Sequence, residues 1–330
     1  AACSSGNDAS SGGNSSANSD SPYEKTTIRI STSGQDQGID ALAAKHFGEL
    51  VEEATDGVIK VEVYPNCQLA GGDMSKLIEL LVTGGNYEMM VGSGSVLGNV
   101  DERFLTHTIP FLFSSYDEAA SYMDGTGGEF YADMMAEKGM VYMSGMYNGL
   151  RQLTTKDKVV TSPSDLSTLR IRVPSGEVYM KTLTEFGADP VAMNWSETFT
   201  ALQQGTLDGH ENGYQTIASA NIQEVQKCIT EWNWSFDGYW FVANQKDWDK
   251  FNEATQTLLM EKAQEAAQWG RDKLVADEIE IRKDFTENYG VTITELTDEQ
   301  RQVFVDAARP VQEYFIEKFG ADVCAAWGLE

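Results

Sequence analysis

Apolar and polar residues alternate along Thr26-Thr27-Ile28-Arg29-Ile30, as a half-buried strand requires, and Ser33-Gly34 marks a turn beyond it. The period then lengthens. Ile39, Leu42, Ala43, Phe47, Leu50 and Val51 fall on one face of a helix predicted over 39–54. Thr55-Asp56-Gly57 breaks that helix, and Val58 to Tyr64 alternates again as a second strand. Asp73 is placed to cap a helix running to Val82, which Gly84-Gly85 stops, and Tyr87 to Val91 forms a third apolar strand. Strand, helix, strand, helix, strand predicts a parallel sheet with crossover helices, the opening of an α/β fold.

The rhythm continues less regularly. Ser115 and Glu118 have the spacing of a capping box, and Met140 to Met146 reads as a buried strand. A short run from Leu169 has Arg172 as its polar member before Pro174 halts it. A helical pattern follows, then the Gly187-Ala188-Asp189-Pro190 break, the apolar step Val191-Ala192-Met193, and a second helix with Trp195 at its entrance. Asp208-Gly209-His210-Glu211-Asn212 reads as a polar turn, and Phe236 to Asn244 as another strand. The longest helical pattern covers 252–288, with Leu259, Ala263, Ala266, Gly270 and Leu274 on one face and Ile281 and Phe285 continuing it. At 1.5 Å per residue it would run ~50 Å, more than one small domain needs, so it is expected to lie across two, with Gly270 a candidate kink. Thr297 and Gln300 form a second capping box, opening a last helix expected to run up to Pro310.

A chain of 330 residues suits two α/β domains better than one core. Lys and Arg total 24 against 51 Asp and Glu, a formal net charge of −27, which repels phosphate backbones and makes nucleic acid an unexpected partner. No apolar run is long enough to span a membrane. Residues 1–21 are almost wholly Ser, Gly, Asn, Ala and Asp and cannot bury a core. They are expected to form a flexible tether with a root-mean-square span of ~25 Å. Ala1-Ala2-Cys3 at its head looks like the end of a bacterial lipoprotein signal, with Cys3 the residue that would be lipidated. Cys67, Cys228 and Cys324 show no zinc spacing and permit at most one disulfide among them.

The chemistry of the chain points to binding. Gly92-Ser93-Gly94-Ser95-Val96-Leu97-Gly98 follows a strand, but its third glycine is one position late for a dinucleotide loop, and it reads better as a strand exit facing a cleft. His210-Glu211 begins like a zinc-protease motif, yet Tyr214 stands where the second histidine belongs, and neither a metal cluster nor a cofactor motif is expected. Arg172 differs. A guanidinium keeps its charge and grips a carboxylate with two parallel hydrogen bonds. Ile171 and Val173 point to one sheet face and Arg172 to the other, at a strand end where α/β sheets hold ligands. Arg151, just past another strand, is a second candidate. Trp195 fits a core or a pocket wall, and Asn212 a turn or a ligand contact.

Several motifs in order resemble one family: Tyr64-Pro65-x-x-Gln68-Leu69, Ile109-Pro110-Phe111-Leu112-Phe113, Leu169-Arg170-Ile171-Arg172-Val173-Pro174, Gly187-Ala188-x-Pro190-Val191, and the run from Glu197 through Ala201-Leu202-Gln203 and Asp208-Gly209 to Glu211-Asn212. From about Thr27 to Gly320 the chain resembles the extracytoplasmic solute-binding subunits of tripartite ATP-independent periplasmic (TRAP) transporters. The resemblance implies a periplasmic-binding-protein-like fold: two α/β domains around a ligand cleft, hinge strands, and a long helix spanning both. The boundaries expected are 1–24 for the tether, 25–148 with 238–277 for the first domain, and 149–237 with 278–330 for the second. It implies a small carboxylate ligand enclosed by domain closure, TRAP membrane permease subunits as partners, an extracytoplasmic location, and no enzymatic activity. Arg172 matches the family's carboxylate clamp, Arg151 a second arginine, Trp195 a residue packing on the ligand, and Asn212 an asparagine bonding near its carboxylate. Ser31 to Gln37 departs from many relatives, which leaves that loop without an assigned role. An enzyme acting on organic acids, with Glu197, Glu211 or His210 as its base, and a sensory ligand-binding protein are the rival readings.

Overall fold

The structure, a computed structural model, describes residues 21–330. Cys3 and most of the expected tether lie outside these. Two sheets organise the chain. The first has the order β2-β1-β3-β10-β4, built from β1 (Thr26–Thr32), β2 (Ile59–Tyr64), β3 (Met89–Ser93), β4 (Met140–Leu150) and β10 (Phe236–Asn244). The second has the order β11-β9-β5-β8-β6-β7, from β5 (Gln152–Thr155), β6 (Arg170–Val173), β7 (Asp189–Ala192), β8 (Gly209–Asn212), β9 (Cys228–Glu231) and β11 (Thr292–Glu295).

The first three strands are parallel, as expected from their pattern, but neither sheet is purely parallel. β1 pairs in parallel with β2 and β3, but β10 runs antiparallel to β3 and β4. In the second sheet β6 is parallel to β7 and β8, while β5 is antiparallel to β8 and β9. The cause is the path of the chain. It crosses from β4 to β5 through Arg151 alone and returns from β9 to β10 through 232–235, so the returning strand enters against the direction of its neighbours. The two crossings are bonded together where the Arg151 N–H donates to the Ser235 carbonyl at 2.8 Å.

There are two apolar cores, the larger built on the first sheet and extending to Ile229 of β9 and Trp195. Phe47, Met89, Met146, Trp240 and Phe241 lie in the first; Ile171, Val173, Phe186, Trp232 and Phe304 lie in the second. The helix Glu253–Asn288 ties them together. Its 36 residues extend about 54 Å at 1.5 Å per residue. It packs first on the helix Ile39–Ala54 and β4, then on the helix Tyr214–Ser219 and β11. Asn252 caps it by accepting the Thr255 N–H at 2.9 Å. The helix runs unbroken through Gly270, so the expected kink is replaced by close packing: a Cβ there would sit 2.7 Å from the Met146 methyl.

The final long helix, Asp298–Phe319, also departs from expectation by passing through Pro310. Pro310 is exposed, so the carbonyl it leaves unpaired faces water, while Phe304, Ala308, Val311 and Phe315 hold the buried face on both sides. The Thr297–Gln300 box that opens this helix has both arms in place. At Ser115 only one arm forms, because Glu118 reaches back to Ser114 instead. Cys67, Cys228 and Cys324 are all free and buried. Among the described residues no helix is long and apolar enough to cross a membrane.

Candidate functional site

β6 places Arg172 between β7 and β8, opposite Val191 and His210. Ile171 and Val173 enter the second core, so the alternation sends the guanidinium to the other face, and Pro174 ends the strand. That face turns toward the first sheet. Arg172 is 1% exposed. Its Nε and Nη2 donate to the Met193 carbonyl at 3.0 and 2.7 Å, and the guanidinium lies 5.3 Å from the Trp195 ring. Of its five N–H groups three remain unbonded among the described residues, both on Nη1 included. It has no carboxylate within salt-bridge distance there. Burial, reinforced by the charge of Arg151, lowers its pKa to about 9, so it stays protonated at neutral pH.

Arg151 has the opposite surroundings. Its Nε and Nη2 grip the Glu211 carboxylate, with Nη2 to Oε1 at 2.9 Å, and Nη1 donates to Asp237 Oδ2 at 2.8 Å. All three side chains are 2% exposed or less. Trp234 Nε1 also donates to Glu211 at 3.1 Å, and Asn148 Nδ2 to Asp237 at 3.0 Å. Burial opposes the charge on Arg151, but its two carboxylates outweigh it and raise its pKa. Asp237 moves the other way: against burial, its hydrogen bond with His107 and the charge of Arg151 lower its pKa.

Arg151, Arg172, Trp195 and Asn212 all line one cavity between the sheets. As closed here it encloses about 30 Å³, roughly the share of one water. Across it lie Ser33 and Gly34 from the loop after β1, Met74 from a helix start, and Ser93 and Ser95 from the exit of β3. The glycine-rich strand exit therefore does face the cleft. The Ser31–Gln37 loop, to which no role was assigned, supplies its opposite wall. Asn148, Thr216 and Tyr239 complete the polar lining; nothing local in the sequence marked them, since each comes from a separate element.

Asn212 requires a correction. The polar turn expected at 208–212 is the buried strand β8, paired with β5 and β6. Gly209 permits this, because a Cβ there would meet the Thr154 carbonyl at 2.1 Å. Its polar side chains are buried because partners meet them: Glu211 binds Arg151, and His210 Nδ1 lies 2.5 Å from Thr154 Oγ1. The Asn212 Oδ1 accepts the Gly213 N–H, which leaves its amide N–H groups without a partner among the described residues. Burial, then Arg172 and Arg151, holds the His210 pKa well below the ordinary range, so this ring is neutral. Trp195 begins the helix Trp195–Gln203, stacks on His210 and carries the Arg172 guanidinium against its ring.

The cavity mouth is bridged from both sides. The Met74 N–H donates to Asn194 Oδ1 at 3.2 Å, Ser196 Oγ to the Gly72 carbonyl at 3.0 Å, and Ser175 Oγ to Asn99 Oδ1 at 3.0 Å. Deeper in, Gln215 donates to the Gln37 carbonyl and accepts the Ile39 N–H, both at 2.9 Å. Among the described residues no group of three or more His, Cys, Asp or Glu could hold a metal ion.

Residues 30–318 match the family model described as bacterial extracellular solute-binding protein, family 7. A solute-binding protein of Verminephrobacter eiseniae is 30% identical over 297 residues, covering 90% of this chain and 87% of that one. Among solved structures, a TRAP periplasmic solute-binding protein of Polaromonas sp. JS666 bound to D-erythronate superposes with a TM-score of 0.85 at 28% identity, covering 92% of this chain and 99% of its own. A counterpart from Shewanella oneidensis with bound succinate gives a TM-score of 0.86 at 27% identity, covering 91% and 97%. The two-sheet architecture with its long spanning helix is theirs, and the chain belongs to the family 7 bacterial extracellular solute-binding proteins, the solute-binding subunits of TRAP transporters.

Proposed function

We propose that this protein captures an organic acid between its two sheets and presents the closed complex to TRAP permease subunits. The observation that carries the reading is the state of Arg172: a buried guanidinium with three unused N–H groups and no counter-charge among the described residues. A buried charge without a partner is costly, and a ligand carboxylate supplies one with fork geometry. In this reading Arg172 clamps the carboxylate, Asn212 donates beside it, Trp195 packs on the carbon skeleton, and Arg151 offers its one remaining Nη1 N–H. The moving bodies are residues 25–148 with 238–277, and 149–237 with 278–330, turning about the two crossings. A cavity of about 30 Å³ is too small to admit an acid, so entry requires the sheets to part, and the mouth contacts re-form behind the ligand.

Binding rather than turnover is supported by the fate of the candidate bases. Glu211 is tied to Arg151, His210 is buried and neutral, and Glu197 is exposed on the far side of its helix start. The relatives with bound D-erythronate and succinate support an acid ligand. A lipid anchor on Cys3 belongs to the same reading, supported by the small-small-Cys tripeptide and the polar segment after it; metabolic labelling with a fatty acid tests it. For the ligand, a thermal-shift screen of aldonates, uronates and C4 dicarboxylates, followed by calorimetry, is the test. Recovery of an unchanged acid from the complex supports transport. Absence of any carboxylate among the hits overturns the proposal.

A further inference from the structure

We infer that the ligand carries a single carboxylate and several hydroxyl or carbonyl groups, and that C4 dicarboxylates are discriminated against. This deepens the proposed function and rests on it. The reasoning begins with the charges around the cavity. Among the described residues, Arg172 and Arg151 are the only charged side chains in its lining. Arg151 is already neutralised by Glu211 and Asp237. A third buried carboxylate, Asp40, stands behind the opposite wall, where its Oδ2 accepts the Gly34 N–H at 2.7 Å. The buried groups therefore comprise two cations and three carboxylates, and one of those cations is free to pair with a ligand.

The rest of the lining is neutral. Ser33, Ser93, Ser95, Asn212 and Tyr239 present hydroxyls and an amide. Ser33 Oγ and the Asn212 Nδ2 make no hydrogen bond among the described residues, so they are available to ligand oxygens; Ser93 and Ser95 bond each other at 2.9 Å. A first carboxylate has Arg172. A second would be enclosed among hydroxyls, with Glu211, Asp237 and Asp40 adding to its repulsion. Hydroxyl and carbonyl oxygens meet no such penalty and can bond the neutral donors, Ser33 Oγ and Asn212 Nδ2 among them.

The test compares four-carbon acids that differ in charge but not in length. Calorimetry at pH 7.5 on the full chain would use D-erythronate as a hydroxylated monoacid, tartrate as a hydroxylated diacid, and succinate as a diacid without hydroxyls. Gluconate and glycerate extend the monoacid series in both directions. The best monoacid is expected to bind about 100-fold or more tighter than tartrate or succinate, since an unpaired buried charge costs several kcal/mol-equivalents of affinity at tenfold per 1.4. Tartrate separates the second charge from the missing hydroxyls. A dicarboxylate binding within tenfold of the best monoacid overturns this inference and leaves the acid-capture reading standing. Failure of both classes to bind overturns the two together.

Discussion

The two buried arginines of the cleft should respond to the same substitution with opposite signs. In Arg172→Met the lowered pKa sets the scale. Moving from 12.5 to about 9 is roughly 5 kcal/mol against the charged form, at about 1.4 kcal/mol per unit. Methionine removes that term. It also removes the two hydrogen bonds to the Met193 carbonyl, at about 1–3 kcal/mol, and the contact with the Trp195 face, at about 1–2 kcal/mol. In the closed arrangement the balance falls between zero and about 3 kcal/mol in favour of the variant, and it shrinks toward zero where the ligand-free sheets part and water solvates Arg172. Its melting temperature should be unchanged or a few degrees higher. Binding should nevertheless weaken by about 2–5 kcal/mol, because the ligand carboxylate loses its partner.

Arg151→Met leaves Glu211 and Asp237 buried without their cation, which costs about 3–5 kcal/mol. At about 2 °C per kcal/mol for a chain of this size, its melting temperature should fall by roughly 5–10 °C. Differential scanning calorimetry of both variants without ligand, and isothermal titration with the best acid, decide the matter. If Arg172→Met unfolds as readily as Arg151→Met, its guanidinium is a structural ion like the other, and the reading of an unpaired cation is refuted. If Arg172→Met binds within twofold of wild type, the clamp is elsewhere.

Other measurements probe the frame around the clamp. Asp40 has its pKa raised to about 6 by burial, above an unfolded value of about 3.9, so its native contribution is fully present below pH ~4 and lost as pH rises through 6. Asp40→Asn should therefore exceed wild type in stability at pH 7.5 by up to about 3 kcal/mol, with the gap closing toward pH 4; a gap constant across that range in chemical denaturation refutes it. Replacing Asn194 and Ser196 together by Ala removes two bridges across the mouth and should speed ligand release about 5- to 30-fold, at about 0.5–1 kcal/mol per exposed bond. Stopped-flow Trp fluorescence reads that rate, and an unchanged rate means the bridges form without holding the closed state. The net charge of −27 repels an acid at long range, so association should quicken as salt rises from about 10 to 150 mM. A rate that falls with salt would show that the local field of the mouth is positive.

The amphipathic elements were legible because periodicity alone determines them. The helix over 39–54 coincides with the predicted span, and the long helix differs from its predicted start by one residue. Arg172 was legible too, since strand alternation and Pro174 fix its direction locally. What sequence hid was pairing at a distance. Arg151 was a second candidate beside Arg172, and its partners Glu211 and Asp237, 60 and 86 positions away, have no local signature. The polarity of Gly209-His210-Glu211-Asn212 suggested a solvated turn for the same reason. Polar residues signal exposure only when the fold has no internal partner for them, and here Arg151, Thr154 and Trp234 are those partners. The antiparallel returns into each sheet depend on the two crossings, which have no local signature.

On the proposed reading, the contrast between the arginines would couple closure to ligand capture. With the sheets apart, water solvates Arg172, and the charge has no penalty. With the sheets together and no anion, Arg172 is enclosed with three unbonded N–H groups, and the several kcal/mol implied by its lowered pKa oppose the closed state. A carboxylate in the cleft removes most of that opposition, because the pair then satisfies both charges. On this reading the ligand binds the closed arrangement far more tightly than the open one, and that differential is the quantity a conformational shift requires. Arg151 carries no such penalty in either arrangement, because its carboxylates stay with it at the crossing. On this reading its pairing keeps the pivot intact, while Arg172 on the same wall of the cleft sets the position of the sheets by the presence of an acid.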